Sequence, residues 1–514
     1  MSLFRTRFLP PVAIAAGATL VLGLTPAAAA TTVPDGPALA KQLVKKVDVN
    51  GVNRHLIALQ RIADTNGGTR AASTAGHQKS AEYIATKLEA AGFQVTRQEF
   101  PFTYSETLAE KLTAGGADVP VIAMEYTVST PVGGITAPLA VVAVDDTSGC
   151  EATDYTADVA GKIALIKRGG CSFAQKQQTA AAAGAIGAIV YNNTDGDVNG
   201  TLGGPENAKI PTGGVTAAAG AQLATLAGQP VTLELRALQE ARTSYNVIAE
   251  TKTGRKDNVV MLGSHLDSVP AGPGINDNGT GSATLLETAL QLGSSPKVNN
   301  AVRFGFWSAE EFGLIGSTYY VDQLTFEQQL DIALYLNFDM IGSPNAGYFA
   351  YDGDNSDGVG AGAGPYGSAQ IEKTFVDFMQ AARGVSLEGT DFTGRSDYGE
   401  FIAVGIPAGG LDTGAEVVKT PAQAAKWGGT AGIAFDPCYH QACDNLGNID
   451  RVALDRNADG VAWALGVYAT STESVNGVQP GKAKTAKQKA AERGAQRNFS
   501  ARAVAGHDPH ALTA

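Results

Sequence analysis

Basic residues are in short supply. Lys and Arg number 38 against 50 Asp and Glu, a formal net charge of −12 at pH 7. Much of the basic charge sits at the ends. Residues 476–514 carry seven Lys/Arg against two Asp/Glu, and the first thirty residues carry Arg5 and Arg7. The body between them is therefore more acidic still, which argues against nucleic acid as a partner and suits a soluble secreted protein. Long apolar runs are also lacking. The one candidate, Val12 to Leu24, is short for a membrane span and no second follows. With Arg5 and Arg7 before it and Ala28 to Ala30 behind, it reads as a secretory leader. There are only four cysteines, and in an exported chain their spacing suggests two local disulfides, Cys150 with Cys171 and Cys438 with Cys443. Histidine is scarce too: of six, only His55, His77, His265 and His440 lie in the folded body.

A chain of 514 residues with ample apolar content predicts two folded domains. Helical stripes at Val52, Leu56, Leu59, Ile62 and at Tyr83, Ile84, Leu88, Ala91 are followed by an alternating strand over 92–100. His55 and His77 fall in or beside these helices and read as surface or cap residues. From about Glu125 to Leu235 short β-rich runs dominate, and acid–base candidates do not cluster there. From Ser244 onward strands and helices alternate. The implied fold is α/β: a mixed, mostly parallel central sheet with helices on both faces, interrupted by a small β-rich insert.

The chemistry-bearing residues lie just after strands. His265 and Asp267 follow an apolar run at 258–262, and Asp277 sits in the Gly/Pro-rich loop before a helix. Glu310 and Glu311 follow Phe304 to Trp307, Asp339 follows Phe338, and His440 lies between Cys438 and Cys443. Singly, each has an ordinary explanation as a turn, cap or solvated residue. Jointly, two histidines and several carboxylates at strand ends suit a pair of zinc ions with room left for water. Of adjacent glutamates, one can bind metal while the other stays free as a base.

These motifs carry a resemblance: Gly263-Ser264-His265-Leu266-Asp267, Asn276-Asp277-Asn278-Gly279, Ser308-Ala309-Glu310-Glu311-Phe312-Gly313, Asn337-Phe338-Asp339-Met340, Gly394-Arg395-Ser396-Asp397 and Cys438-Tyr439-His440. The sequence resembles the secreted di-zinc aminopeptidases of metallopeptidase family 28. Residues 125–235, with Gly161, Gly169, Gly170, Cys171, Lys176 and Gly184, resemble the protease-associated domain, a small insert in several secreted peptidases. The implied organisation is a leader over 1–30, a peptidase domain split into 31–124 and 237–473, the insert at 125–236, and a flexible basic tail at 474–514 open to processing. The resemblance implies that His265 and Asp339 bind one zinc, that Glu311 and His440 bind the other, and that Asp277 bridges them. It makes Glu310 the general base, Asp267 the carboxylate orienting the His265 imidazole, Tyr439 a donor to the oxyanion, and the Arg395 loop a neighbour of the substrate amine. It suggests a cis peptide after Asp277. It matches Asp455 and Asp459, with Asp48 as a third ligand, to a stabilising calcium site; a solvated acidic helix end is the alternative reading.

The expected activity is removal of N-terminal residues, leucine and other apolar residues by default, from peptides with a free amine, by a monomer. A related carboxypeptidase would need a basic cluster for the substrate carboxylate, and only Arg395 lies near the motifs. A glutaminyl cyclase would use one zinc. A receptor of this architecture would have lost ligands, and none is missing.

Overall fold

A computed structural model describes residues 37–360 and 362–506, with side chains as far as residue 496. The leader lies outside the described residues. Five strands form the middle of the sheet, in the order Phe349–Tyr351, Ala408–Asp412, Ile332–Phe338, Arg255–His265 and Asn300–Trp307. The last four of these run parallel to one another, and Phe349–Tyr351 pairs antiparallel with Ala408–Asp412. Central strands need apolar residues on both faces, which is why Ile332–Phe338 is buried throughout and Arg255–His265 is buried from Asn258 on. Helices Val49–Asp64, Ala75–Ala90, Gly281–Leu292, Ser368–Phe378 and Arg451–Thr470 cover one face through a core that includes Leu56, Leu285, Phe338, Phe375 and Leu465. Ile315–Asp322 and Gly399–Ala403 cover the other, over Trp307, Tyr335 and Phe401.

Two strands of 21 residues, Gln94–Ala114 and Pro230–Glu250, pair antiparallel along their length. Glu250 and its neighbours pair with the Asn300–Trp307 strand at one end, and Pro230 to Leu233 pair with Ile135–Val141 in the insert at the other. The sheet is therefore continuous from peptidase domain to insert, and the ribbon connects them. The insert has apolar cores of its own on both sides of its strands, including Ile166 and Val190 on one side and Leu165 and Ile189 on the other.

Three expectations change. The tail, expected to be flexible, is helical over Ala486–Gly506 and docked. Lys484 Nζ donates to the Leu330 carbonyl at 2.7 Å and pairs with Glu492 at 3.1 Å, and Arg493 pairs with Glu327 at 2.5 Å. The many Lys, Ala and Gln that suggested disorder are also good helix formers, and the body supplies the anionic partner. His55 and His77 are buried rather than exposed. His55 Nδ1 shares a hydrogen bond with Tyr83 at 2.7 Å and Nε2 faces Glu287 at 3.1 Å, tying three helices together. Asp48, Asp455 and Asp459 are not gathered into a cation site. Asp48 caps its helix through Asn50 and Gly51 N–H, and Asp459 pairs with Arg383. Both carboxylates already have partners.

Candidate active site

Parallel strands end side by side, so residues just past their carboxyl ends converge. Trp307 pairs with His265, and Asn337 pairs with Gly263, two residues before each of Asp339 and His265. The Glu310 turn and Asp339 thus flank His265. His265 Nε2 lies 3.2 Å from Asp277 Oδ1, 3.2 Å from Asp339 Oδ1 and 3.9 Å from Glu310 Oε2. His440 Nε2 lies 3.3 Å from Asp277 Oδ2 and 3.0 Å from Glu311 Oε2. The two oxygens of Asp277 therefore face two different imidazoles. Glu311 Oε1 is buried with no hydrogen-bond partner. Such crowding of buried carboxylates is costly without cations.

The ionisation of the groups follows from this crowding. Burial opposes a charge on His265, but the Asp339 and Glu310 carboxylates overcome it and raise its pKa well above the usual value. His440 is likewise opposed by burial and held up to about 11 by Glu311 and Asp277. Burial would raise Asp277, yet the two imidazoles hold it below the ordinary carboxylate range. Glu310 and Glu311 are raised by burial, and the neighbouring carboxylates add to this. The two imidazoles thus serve as the cations that these carboxylates face. The donor set of nitrogen and carboxylate oxygen fits zinc, and two such sets share Asp277.

The loops that carry these residues are fixed from beneath. The Asp277–Asn278 peptide is cis. Asn278 accepts from Gly281 and Met340 N–H and donates to the Phe338 carbonyl at 2.9 Å, so one side chain links three elements. Gly281 must be glycine because a Cβ there would lie 2.2 Å from the Phe338 carbonyl oxygen. Of the seven non-glycine residues with positive φ among the described residues, four (Ala309, Leu314, Met340 and His440) lie within four residues of a candidate ligand. Asp267 presents its main-chain carbonyl to His265 Nδ1 at 3.2 Å, with its carboxylate at 3.8 Å. Asp267 Oδ1 also accepts the Glu310 N–H at 3.3 Å, so one side chain braces both the imidazole and the glutamate turn. The Cys438–Cys443 disulfide closes the loop holding His440, and Cys150–Cys171 closes one in the insert.

Two positioning groups have no signature in the sequence. Arg70 is fully buried and donates to the carbonyls of Leu266, Pro273 and Gly274, spanning the loop between His265 and Asp277. Asp444 accepts the N–H groups of Asn276 and Asp277 at 2.8 and 2.9 Å. A lone arginine in a Gly-Thr-Arg-Ala loop and an aspartate after a cysteine are normally surface residues, so only their burial shows what they hold. The ribbon reaches the site as well. Phe102 and Tyr104 pack on Phe312, with ring centroids 5.5 and 5.1 Å away, one residue past Glu311.

The substrate side is open at His440, whose side chain is 42 % exposed, and closed at His265, 1 % exposed. Tyr439 stacks on His440, and its hydroxyl accepts from Arg395 at 3.4 Å; Arg395 also pairs with Glu416 at 2.8 Å. Burial and the nearby Asp277 and Glu311 carboxylates raise the Tyr439 phenol, so it keeps its proton and can donate. Ser396 donates to Asp339 Oδ2 at 2.7 Å. If Tyr439 donates to the developing oxyanion, Tyr439→Phe is expected to lower kcat about 10²–10³-fold with little change in KM. Steady-state rates on one anilide check this, and an equal rise in KM would show that Tyr439 only binds substrate.

The descriptions of known families agree with this geometry. Residues 246–465 match the model of peptidase family M28, and residues 135–223 match the PA domain. The probable lipoprotein aminopeptidase LpqL of Mycobacterium tuberculosis is 49% identical over 454 residues, 87% of this chain and 90% of that protein. The chain belongs to peptidase family M28. Leucine aminopeptidase 2 of Arthroderma otae is 47% identical, over 82% of this chain and 83% of its own. The solved zinc aminopeptidase of Bacillus subtilis superposes with a TM-score of 0.58 at 28% identity, over 84% of this chain and 95% of its own. The enzyme is by this membership a metallo-aminopeptidase, a hydrolase with a PA domain inserted in it. Among the described residues no helix is long and apolar enough to cross a membrane.

Proposed function

We propose that this enzyme removes single residues from the free N-terminus of peptides, using two zinc ions and Glu310 as the general base. The observation that carries this reading is Asp277, whose two oxygens face His265 and His440 separately. His265 and Asp339 would hold one ion, Glu311 and His440 the other, and Asp277 both. When bound, the ions supply Lewis acidity to water and to the substrate carbonyl. Glu310 takes the proton of the attacking water and hands it to the leaving amine. Its raised affinity for protons suits both halves of that transfer. Tyr439 donates to the carbonyl oxygen as negative charge gathers there. The substrate ammonium rests between Glu310 and Asp339, at the closed end of the site. An internal peptide bond brings no cation to that place, so the cleavage is confined to chain ends.

Leucine and other apolar first residues are the default substrates, by similarity to relatives named leucine aminopeptidases. All of the donors come from one chain, which suits a monomer. Export agrees with both disulfides and with a leader in the first thirty residues. Hydrolysis of leucyl and N-acetyl-leucyl anilides, before and after chelation and zinc return, tests the reading. Cleavage of only the free-amine substrate, lost on chelation and restored by about two equivalents of zinc, is the expected result. Cleavage of the acetylated substrate, or none by the zinc-loaded protein, would overturn it.

A further inference from the structure

One half-buried carboxylate beside the site has no part in that reaction. Asp412 ends the strand Ala408–Asp412, the parallel neighbour of Ile332–Phe338. Phe338 lies opposite Leu411, so Asp339 and Asp412 form the next pair, about 4.8 Å apart along the sheet. Phe338 and Leu411 both enter the same apolar core. Side chains alternate along a strand, so Asp339 and Asp412 share the opposite face. The bond from Ser396 to Asp339 Oδ2 lies on that face, where Asn337 also donates to Ser396. Among the described residues the one hydrogen bond to the Asp412 carboxylate comes from the Gly414 N–H, at 2.9 Å to Oδ1, and no Lys, Arg or His pairs with it. Arg395, the cation in the Gly394-to-Asp397 loop, pairs with Glu416 instead.

We infer that Asp412 reads the side chain of the first substrate residue and extends the accepted class from apolar residues to lysine and arginine. The inference rests on the aminopeptidase reading of the same site. With the ammonium held at Asp339, the side chain branches from the carbon bearing that ammonium. A group one strand further out is then within reach of a side chain of several carbons. Phe349 lies directly across from Asp412 on the next strand and on the same face, and Tyr351 follows two residues on, stacked on Phe392 at 5.2 Å. An aromatic ring beside a carboxylate suits a long methylene stem ending in a cation. Leucine would rest on the same ring and leave the carboxylate unanswered.

The test compares lysyl and norleucyl anilides, norleucine having the lysine stem without its ammonium. In the wild type kcat/KM is expected to favour lysyl. In Asp412→Asn the lysyl-to-norleucyl ratio is expected to fall about tenfold or more, mostly through KM, as for loss of one charge-assisted hydrogen bond. Asp412→Glu, which keeps the charge, should restore part of the ratio. Zinc content and thermal midpoint confirm that the variants are folded and loaded. A ratio equal in wild type and Asp412→Asn overturns the inference, and so does an equal loss on both substrates, which marks a structural role. If the wild type cleaves norleucyl anilide but shows no such ratio change, the aminopeptidase reading stands and only the role of Asp412 falls. If the loaded wild type cleaves neither, the aminopeptidase reading itself fails.

Discussion

Replacing Glu310 by glutamine is expected to lower kcat on a leucyl anilide by about 10²–10⁴-fold, the usual contribution of a positioned general base. The metal content should not change, because in the proposed site Asp277, Glu311, Asp339, His265 and His440 would supply the donors without it. Glu310 is the carboxylate best placed for this task. It stands 3.9 Å from His265 Nε2, farther than the 3.2 Å of Asp277 and Asp339, so it borders the cluster rather than closing it. Its backbone is fixed by Asp267, and the turn is held from outside by Phe102 and Tyr104 on Phe312. Glutamine keeps the shape and cannot take a proton. Rates and bound zinc measured on one preparation decide the matter. Loss of one zinc together with activity would make Glu310 a ligand, and near wild-type activity would place the base elsewhere.

Replacing Arg70 by methionine is expected to destabilise the fold by about 3–5 kcal/mol, the range for removing one member of a buried charged network. Methionine fills much of the same space but leaves the carbonyls of Leu266 and Pro273 without a donor, while that of Gly274 keeps only the Gly279 N–H. An unsatisfied buried acceptor costs about 1–3 kcal/mol. Arg70 is also the cation that Asp267, Asp444, Asp277 and Glu311 feel from behind, and burial pulls its pKa down to about 10 against the pull of those carboxylates. Denaturant unfolding of the metal-free proteins reads the stability, and zinc titration reads the site. Because the loop joining His265 to Asp277 hangs on this residue, weaker zinc binding should accompany the loss. A variant as stable as the wild type, binding zinc as tightly, would show that solvent replaces the guanidinium and that Arg70 holds nothing.

How far the site could be read in advance differs from residue to residue. His265, Asp277, Glu310, Glu311, Asp339 and His440 were legible because each follows a strand or lies in a loop bounded by Gly or Cys. A parallel sheet brings such positions together whatever the details of packing. The calcium residues were misread because Asp48 and Asp459 are acids at helix positions, where a cap and an arginine are as ready as a cation. The tail was misread for a related reason. Composition reports what a segment can do alone, whereas Lys484 finds the Leu330 carbonyl and Arg493 finds Glu327 on the body.

The amino-acid sequence by itself determined the α/β alternation, the insert, the two disulfide pairs and the types of donor that meet in the site. These depend on local periodicity and on short motifs, which a chain carries wherever it folds. Tertiary structure alone decided which groups hold the donors in place and which charge is left over. Arg70 is 195 residues from His265 in the chain and binds the carbonyl next to it, and Asp412 stands beside Asp339 only because two strands pair in one register. Long-range partners are set by register and burial, and neither leaves a local mark in the sequence.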